Sequence, residues 1–172
     1  MEINFFAILV ATIIPTITGF IWYNPSVLGK AWMEASGLAE EKIKEANMLV
    51  IFGVSFLLAF MLAYFAQILS IHQFSLFSLL INEPGMKENP ITNADFLMMI
   101  EKYGSNFRTF HHGIVHGIFS SLFFVLPVLG TNSLFERKGF KYILINVGYW
   151  TLTLALMCGV VCGWQSTSVF NW

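Results

Sequence analysis

A chain of 172 residues that is 56% hydrophobic and 11% charged lies far from the soluble balance, in which about a quarter of residues carry charge. Eighteen Phe and five Trp are hard to bury in one soluble core of this size and are ordinary where side chains meet lipid. Nine basic residues against ten acidic ones, with no basic stripe, exclude the electrostatic footprint of a nucleic-acid binder.

A helix rises 1.5 Å per residue, so about 20 apolar residues cross a hydrocarbon layer of about 30 Å. Four stretches meet that length: residues 3–23, 48–71, 110–130 and 140–164. The expected fold is all-α, a polytopic membrane protein built as a four-transmembrane-helix bundle. Residues 1–172 are read as one membrane domain whose first partner is the lipid bilayer.

The first span holds Pro15, which lacks a backbone N–H and is expected to bend the helix, with Thr16 or Thr18 able to relieve the freed backbone groups. It ends at "WYNP", where Trp22 and Tyr23 suit the headgroup level and Pro25 disfavours helical backbone at Asn24. Lys30, Trp32 and the mixed-charge run Glu40, Glu41, Lys42, Lys44, Glu45 then predict a short polar helix at that surface. Glu2 and the lack of a basic leader predict that the first span is retained.

After the second span, "IHQFSLFSLLI" at 71–81 is too short to cross again and either prolongs the span or lies in the interface. Residues 82–109 form the long connection, with Pro84, Gly85 and Pro90 before a helix expected from Asn93 to Lys102, whose first turn Asp95 is expected to cap or charge. Either a disordered tether or an ordered cap fits this stretch. Lys30, Lys42, Lys44, Arg137, Lys138 and Lys141 fall in loops one and three, while Lys87, Lys102 and Arg108 fall on the other side. The positive-inside rule therefore places both termini and the 82–109 loop outside an inner (cytoplasmic) membrane.

Chemically able side chains concentrate in "FRTFHHGIVHGIFSS", residues 107–121. His112 and His116, four apart, share one face of span three, with His111 adjacent and Arg108 a turn earlier; His72 belongs at the same surface and can join them. Metal or haem ligation by His72, His112 and His116 is one reading. Hydrogen bonding to a neighbouring helix or headgroup is a second, and proton or substrate handling by His116, the deepest ionisable group, is a third. No acidic residue lies inside a span; Glu136 and Asp95 are in loops.

Small residues four apart let helices approach closely in lipid. Gly113, Gly117 and Ser121 in span three, Ala155, Gly159 and Gly163 in span four, and Ala11, Pro15 and Gly19 in span one are the expected packing faces. Cys158 and Cys162, on one helix face, are poorly placed for a disulfide and read as small filler. Asn146 is expected to face the bundle and to pair with backbone, Thr151 or Thr153, since Gln67 sits at the opposite depth. No phosphate cradle, nucleophile elbow or zinc-protease motif is present, and no cofactor is expected.

The segments "GFIWYNPSVLGKAWMEASGL" and "FHHGIVHGIFSSLFFVLPVLGTNSLFERKGFKYILINVGYWTLTLALM" resemble the DUF1761 family of small bacterial integral membrane proteins of unknown function. Trp22, Tyr23, Pro25, Gly29, Lys30 and Trp32 match its Trp-Tyr-x-Pro, Gly-Lys-x-Trp signature. His116 and Gly117 match its His-Gly pair, and Phe135, Glu136 and Arg137 its Phe-Glu-Arg loop. The resemblance implies a bacterial inner-membrane protein and no particular substrate. It also places the turn from Pro25 to Trp32 beside the Phe135–Arg137 loop, where a Lys30 to Glu136 contact is expected.

The packing motifs and the missing catalytic constellations favour a non-enzymatic accessory, assembly or structural subunit with a protein partner or a homo-oligomeric state. An oligomeric small-solute or ion transporter and a His-ligated metal- or haem-dependent membrane protein are the alternatives.

Overall fold

The structure is a computed structural model that describes residues 3–90 and 93–164. Both chain ends, expected outside, fall at 1–2 and 165–172, and so they and Glu2 lie outside the described residues. The described helices are α1 (Phe5–Trp22), α2 (Gly29–Ser36), α3 (Glu40–Lys44), α4 (Met48–Ser70), α5 (Gln73–Leu80), α6 (Ala94–Tyr103), α7 (Phe110–Ser120), α8 (Leu126–Phe135) and α9 (Phe140–Gly163). A π-helical turn, Ser121–Val125, joins α7 to α8 into one continuous span. The fold is all-α, with four apolar helical spans of 18, 23, 26 and 24 residues, each long enough to cross a bilayer.

Span three runs to Phe135, past the expected end at 130, because the π turn absorbs Pro127. A proline ring would collide with the carbonyl four residues earlier, that of Phe123. The helix widens instead, and Leu126 N–H bonds the carbonyl of Ser121, five residues back. Ser121, four residues on from Gly117, also faces α9, and its hydroxyl lies 2.7 Å from Thr151 Oγ1.

The bundle is centred on α9, the most buried of the four spans, which packs against α7, α1 and α4. The glycine stripe of α7 sets the closest approach. A Cβ on Gly113 would fall on the Cys158 carbonyl, and one on Gly117 on the Leu154 carbonyl and Ala155 Cα. Gly159 and Gly163 play the reciprocal part by seating Phe110. Cys158 and Cys162 are free and buried as filler, the latter donating to the carbonyls of Ser70 and Phe107.

Polar groups inside the bundle are paired. Thr18 Oγ1 donates to Ile14 O at 2.9 Å and lies 2.8 Å from Thr153 Oγ1; Tyr149 OH donates to Pro15 O. The carbonyl that Pro15 leaves without its helical donor is that of Ala11, and these bonds go to Ile14 and Pro15, so Thr18 ties α1 to α9 beside the proline without relieving that group. Asn146 accepts from Tyr23 OH at 2.9 Å and donates to Tyr142 O, while Gln67 donates to Asn4 O. Thr151 and Thr153 have other partners, so the Asn146 partners are a loop-end tyrosine and backbone.

α4 is packed along half its length only. Ala59, Ala63, Ala66 and Ser70, at helical spacing, are buried against α1 and α9, whereas every residue from Met48 to Leu58 is exposed. The alanines stop at Ala59, and from there to its start α4 splays away from its neighbours, even though Gly53 and Ser55 are small.

α4 ends at Ile71, whose extended backbone (φ −108°, ψ 100°) turns the chain before α5, so 71–81 is a separate helix and no prolongation of the span. α5 and α6 form an ordered cap with its own small core, Met86, Phe96 and Ile100 packed against Leu76, Phe77 and Leu80. Asn93, and not Asp95, caps α6, accepting from Phe96 N–H at 2.9 Å; Asp95 stands in the first turn.

Candidate functional site

Three local features bring His72, His112 and His116 together. Thr109 caps α7 by accepting from His112 N–H, which fixes His112 in the first turn with His116 one turn below. The break at Ile71 swings His72 off the end of α4 toward that face. The segment before α7 is tied down from both sides: Gln73 Nε2 donates to the carbonyls of Tyr103 and Asn106, both at 3.0 Å, and Arg108 Nε donates to Cys162 O at 3.1 Å. Arg108 thereby places a cation at the carbonyl end of α9, where the helix dipole favours it. Burial lowers its pKa, but a guanidinium stays charged regardless.

The result is a convergence of ring nitrogens. His72 Nε2 lies 2.9 Å from His112 Nε2, which lies 3.0 Å from His116 Nε2, and one ligand atom from each residue falls within 4.8 Å of the others. His111 is exposed beside this group and outside it. Phe107, in the left-handed region at φ 62°, lays its ring 5.1 Å from His112 and 5.9 Å from His72. Holding a phenylalanine there costs about 1–3 kcal/mol, which the anchored loop must sustain.

A neutral imidazole has one N–H and one lone pair. His112 Nε2 therefore makes one good hydrogen bond, to His72 or to His116, and its second close nitrogen contact has no matching partner. A cation between the three collects three lone pairs at once. Four tetrahedral zinc ligands at about 2.0–2.1 Å stand about 3.3 Å from one another. The two contacts made by His112 are within a few tenths of an ångström of that separation, and the ligand atoms of His72 and His116 lie within 4.8 Å of each other.

Two residues without a sequence signal complete the surroundings. Gln73 is buried, and its Oε1 has no hydrogen-bond partner among the described residues, a cost of about 1–3 kcal/mol for a buried acceptor. It lines a cavity of about 460 Å³ with His72, Tyr103 and Phe107. Neither Gln73 nor Phe107 carries a motif or period that marks it in advance.

The other candidate residues lie at the opposite end of the bundle. Trp22 Nε1 donates to Ile145 O at 3.0 Å, and Tyr23 packs on Trp32 and Tyr149. Pro25 sits in a turn closed by Leu28 N–H to Trp22 O and Gly29 N–H to Asn24 O. Gly29 is required there, since a Cβ would strike the Tyr23 carbonyl. On loop three, Arg137 takes the left-handed conformation (φ 60°) that ends the helix, and Phe135 and Glu136 are exposed. Lys30 does not meet Glu136. The two loops are joined instead by Lys141 to Glu34 and by Lys138 Nζ donating to Ser36 O, because α9 begins directly beside the end of α2.

The Lys141 hydrogen bond and charge hold the Glu34 carboxyl below its usual range. A depressed carboxylate contributes stability above its unfolded pKa and loses it as pH falls through the folded value. Both side chains are exposed, so the effect is screened and small. The expected result is that Glu34→Gln melts slightly below the parent at pH 7, and that the difference shrinks as the pH falls through the carboxylate range.

Residues 6–162 match the family model described as "Protein of unknown function (DUF1761)". No curated protein and no solved structure matches the chain.

Proposed function

We propose that this chain, which belongs to the DUF1761 family, is a multi-pass membrane protein that binds a late first-row divalent metal through His72, His112 and His116. The observation that carries the reading is the cluster of three imidazole nitrogens, with adjacent contacts of 2.9 and 3.0 Å and all three ligand atoms within 4.8 Å of one another. Three neutral nitrogen donors without a carboxylate suit zinc, copper or nickel and do not suit calcium or magnesium, which take oxygen. Contacts this short favour a bare ion over haem, because no porphyrin plane fits between the rings. Three protein ligands leave one tetrahedral position open, as in zinc sites that act on a bound molecule.

The geometry supports this reading over a purely structural accessory subunit, since packing alone does not require three ring nitrogens to crowd together. Such a protein still fits an inner membrane with both termini outside, the placement that the basic residues of loops one and three favour. The full chain, purified, loaded with zinc and freed of excess, is expected to hold one ion per chain by elemental analysis. Replacing all three histidines by Ala should leave none, and His111→Ala should leave the stoichiometry intact. Protein that holds no zinc, or zinc retained by the triple variant, would sink the proposal.

A further inference from the structure

At the end of the bundle away from the histidines, the splayed start of α4 leaves a cavity of about 920 Å³ between α1, α2 and α4. Its walls are Pro15, Phe20, Ile51 and Phe52, its floor is Tyr149, and Trp32 closes it from α2. Phe20 and Phe52 stack at 5.7 Å across the gap. Among the described residues lining it, Lys30 is the one with a charge, and no hydrogen bond or ion pair engages it among the described residues. Lys138 and Lys141, by contrast, are engaged by Ser36 and Glu34.

The walls and the mouth ask for different chemistry. The chamber is apolar and lies between two membrane spans, with the rings of Phe20 and Phe52 between it and the bilayer, so hydrocarbon is the material that surrounds it at this depth. The mouth carries an exposed ammonium and the Asn24 amide beside the aromatic residues Tyr23 and Trp32, at headgroup depth. A helix from a second subunit is a poor fit. At a diameter of about 10–12 Å, a helix would fill the volume in about 10 Å of its length, under two turns. Flexible acyl chain has no such minimum width.

We infer that the chamber binds one anionic membrane lipid, its acyl chain lying against Phe20, Ile51 and Phe52 and its phosphate meeting Lys30. The inference stands apart from the metal reading, which involves none of these residues. Tyr23, Pro25, Gly29, Lys30 and Trp32, all on the "WYNP" segment and the helix after it, then act together to shape and charge the mouth of a lipid site.

The test is native mass spectrometry of the full chain released from detergent micelles doped with equal amounts of phosphatidylglycerol and phosphatidylcholine of matched chains. The parent protein should retain one phosphatidylglycerol in about fivefold preference, the factor expected for one lysine acting on an anionic headgroup. Lys30→Gln, an exposed and fold-neutral change, should bring the ratio close to one. Ser55→Phe, which fills the chamber, should lower retention of both lipids. Equal retention of both lipids by the parent, a preference untouched by Lys30→Gln, or a lipid-free dimer as the released species would overturn the inference.

Discussion

Gly117→Ala is expected to destabilise the bundle by about 3 kcal/mol, while Gly130→Ala, in the same span, stabilises it by about 0.5–1 kcal/mol. The difference lies in what the new methyl meets. At Gly117 it falls on the backbone of Leu154 and Ala155, and backbone cannot rotate away, so α7 and α9 must move apart. That separation also loosens the Ser121 to Thr151 contact below it and Gly113 on Cys158 above it. At Gly130 the nearest atoms are side-chain carbons of Leu126 and Ile143 at 3.8 and 3.9 Å, an ordinary contact, so only the gain in helix propensity remains. Thermal or denaturant unfolding of both variants in the same detergent reads the contrast, and like signs for the two would contradict the packing described.

His112→Ala is expected to weaken zinc binding by at least about 100-fold, since loss of even a supporting group around a metal costs about 10–100-fold and His112 is the middle ligand. The effect has a second readout. Zinc at 100 times its dissociation constant should stabilise the parent protein by about 2.7 kcal/mol, and the same concentration should stabilise His112→Ala by no more than about 0.4 kcal/mol. His111→Ala, one residue away and exposed, should behave as the parent on both counts. A zinc-induced shift that persists at full size in His112→Ala would place the ion elsewhere.

Much of this architecture is legible in the residues. Length and apolar runs locate the four spans to within a few residues, apart from the far end of span three, because the bilayer imposes one length on every crossing helix. The small-residue spacing of Gly113, Gly117 and Ser121 marks the true α7 and α9 contact, because close approach in lipid depends on little else. His112 and His116 share a face by periodicity, and counting spans places His72 at the same surface. Other features have no linear signal. Whether His72 reaches the pair depends on the backbone turn at Ile71, a break inside an apolar run that has neither glycine nor proline. Pro127 carries the π turn without marking how far the helix continues. The Lys30 to Glu136 expectation fails for a related reason: sharing a membrane face fixes depth but not position around the bundle, and α9 puts Lys141 and Lys138 closer to α2. The chamber is equally hidden in the linear chain, since it lies where α4 is no longer packed on its neighbours, before Ala59, and no residue pattern marks that point.

His72 stands on a different element from His112, 40 positions earlier in the chain and across the cap from it. An ion held by both is a reversible staple on that loop. In a chain-entropy picture a cross-link closing about 40 residues removes roughly 4 kcal/mol of freedom from the opened chain, the scale of a disulfide. Unlike a disulfide it comes undone when the metal is withdrawn. Scarcity of the ion would then be felt first by α5 and α6, which have only a small core of their own to hold them, and the cap would register metal supply before the spans beneath it did.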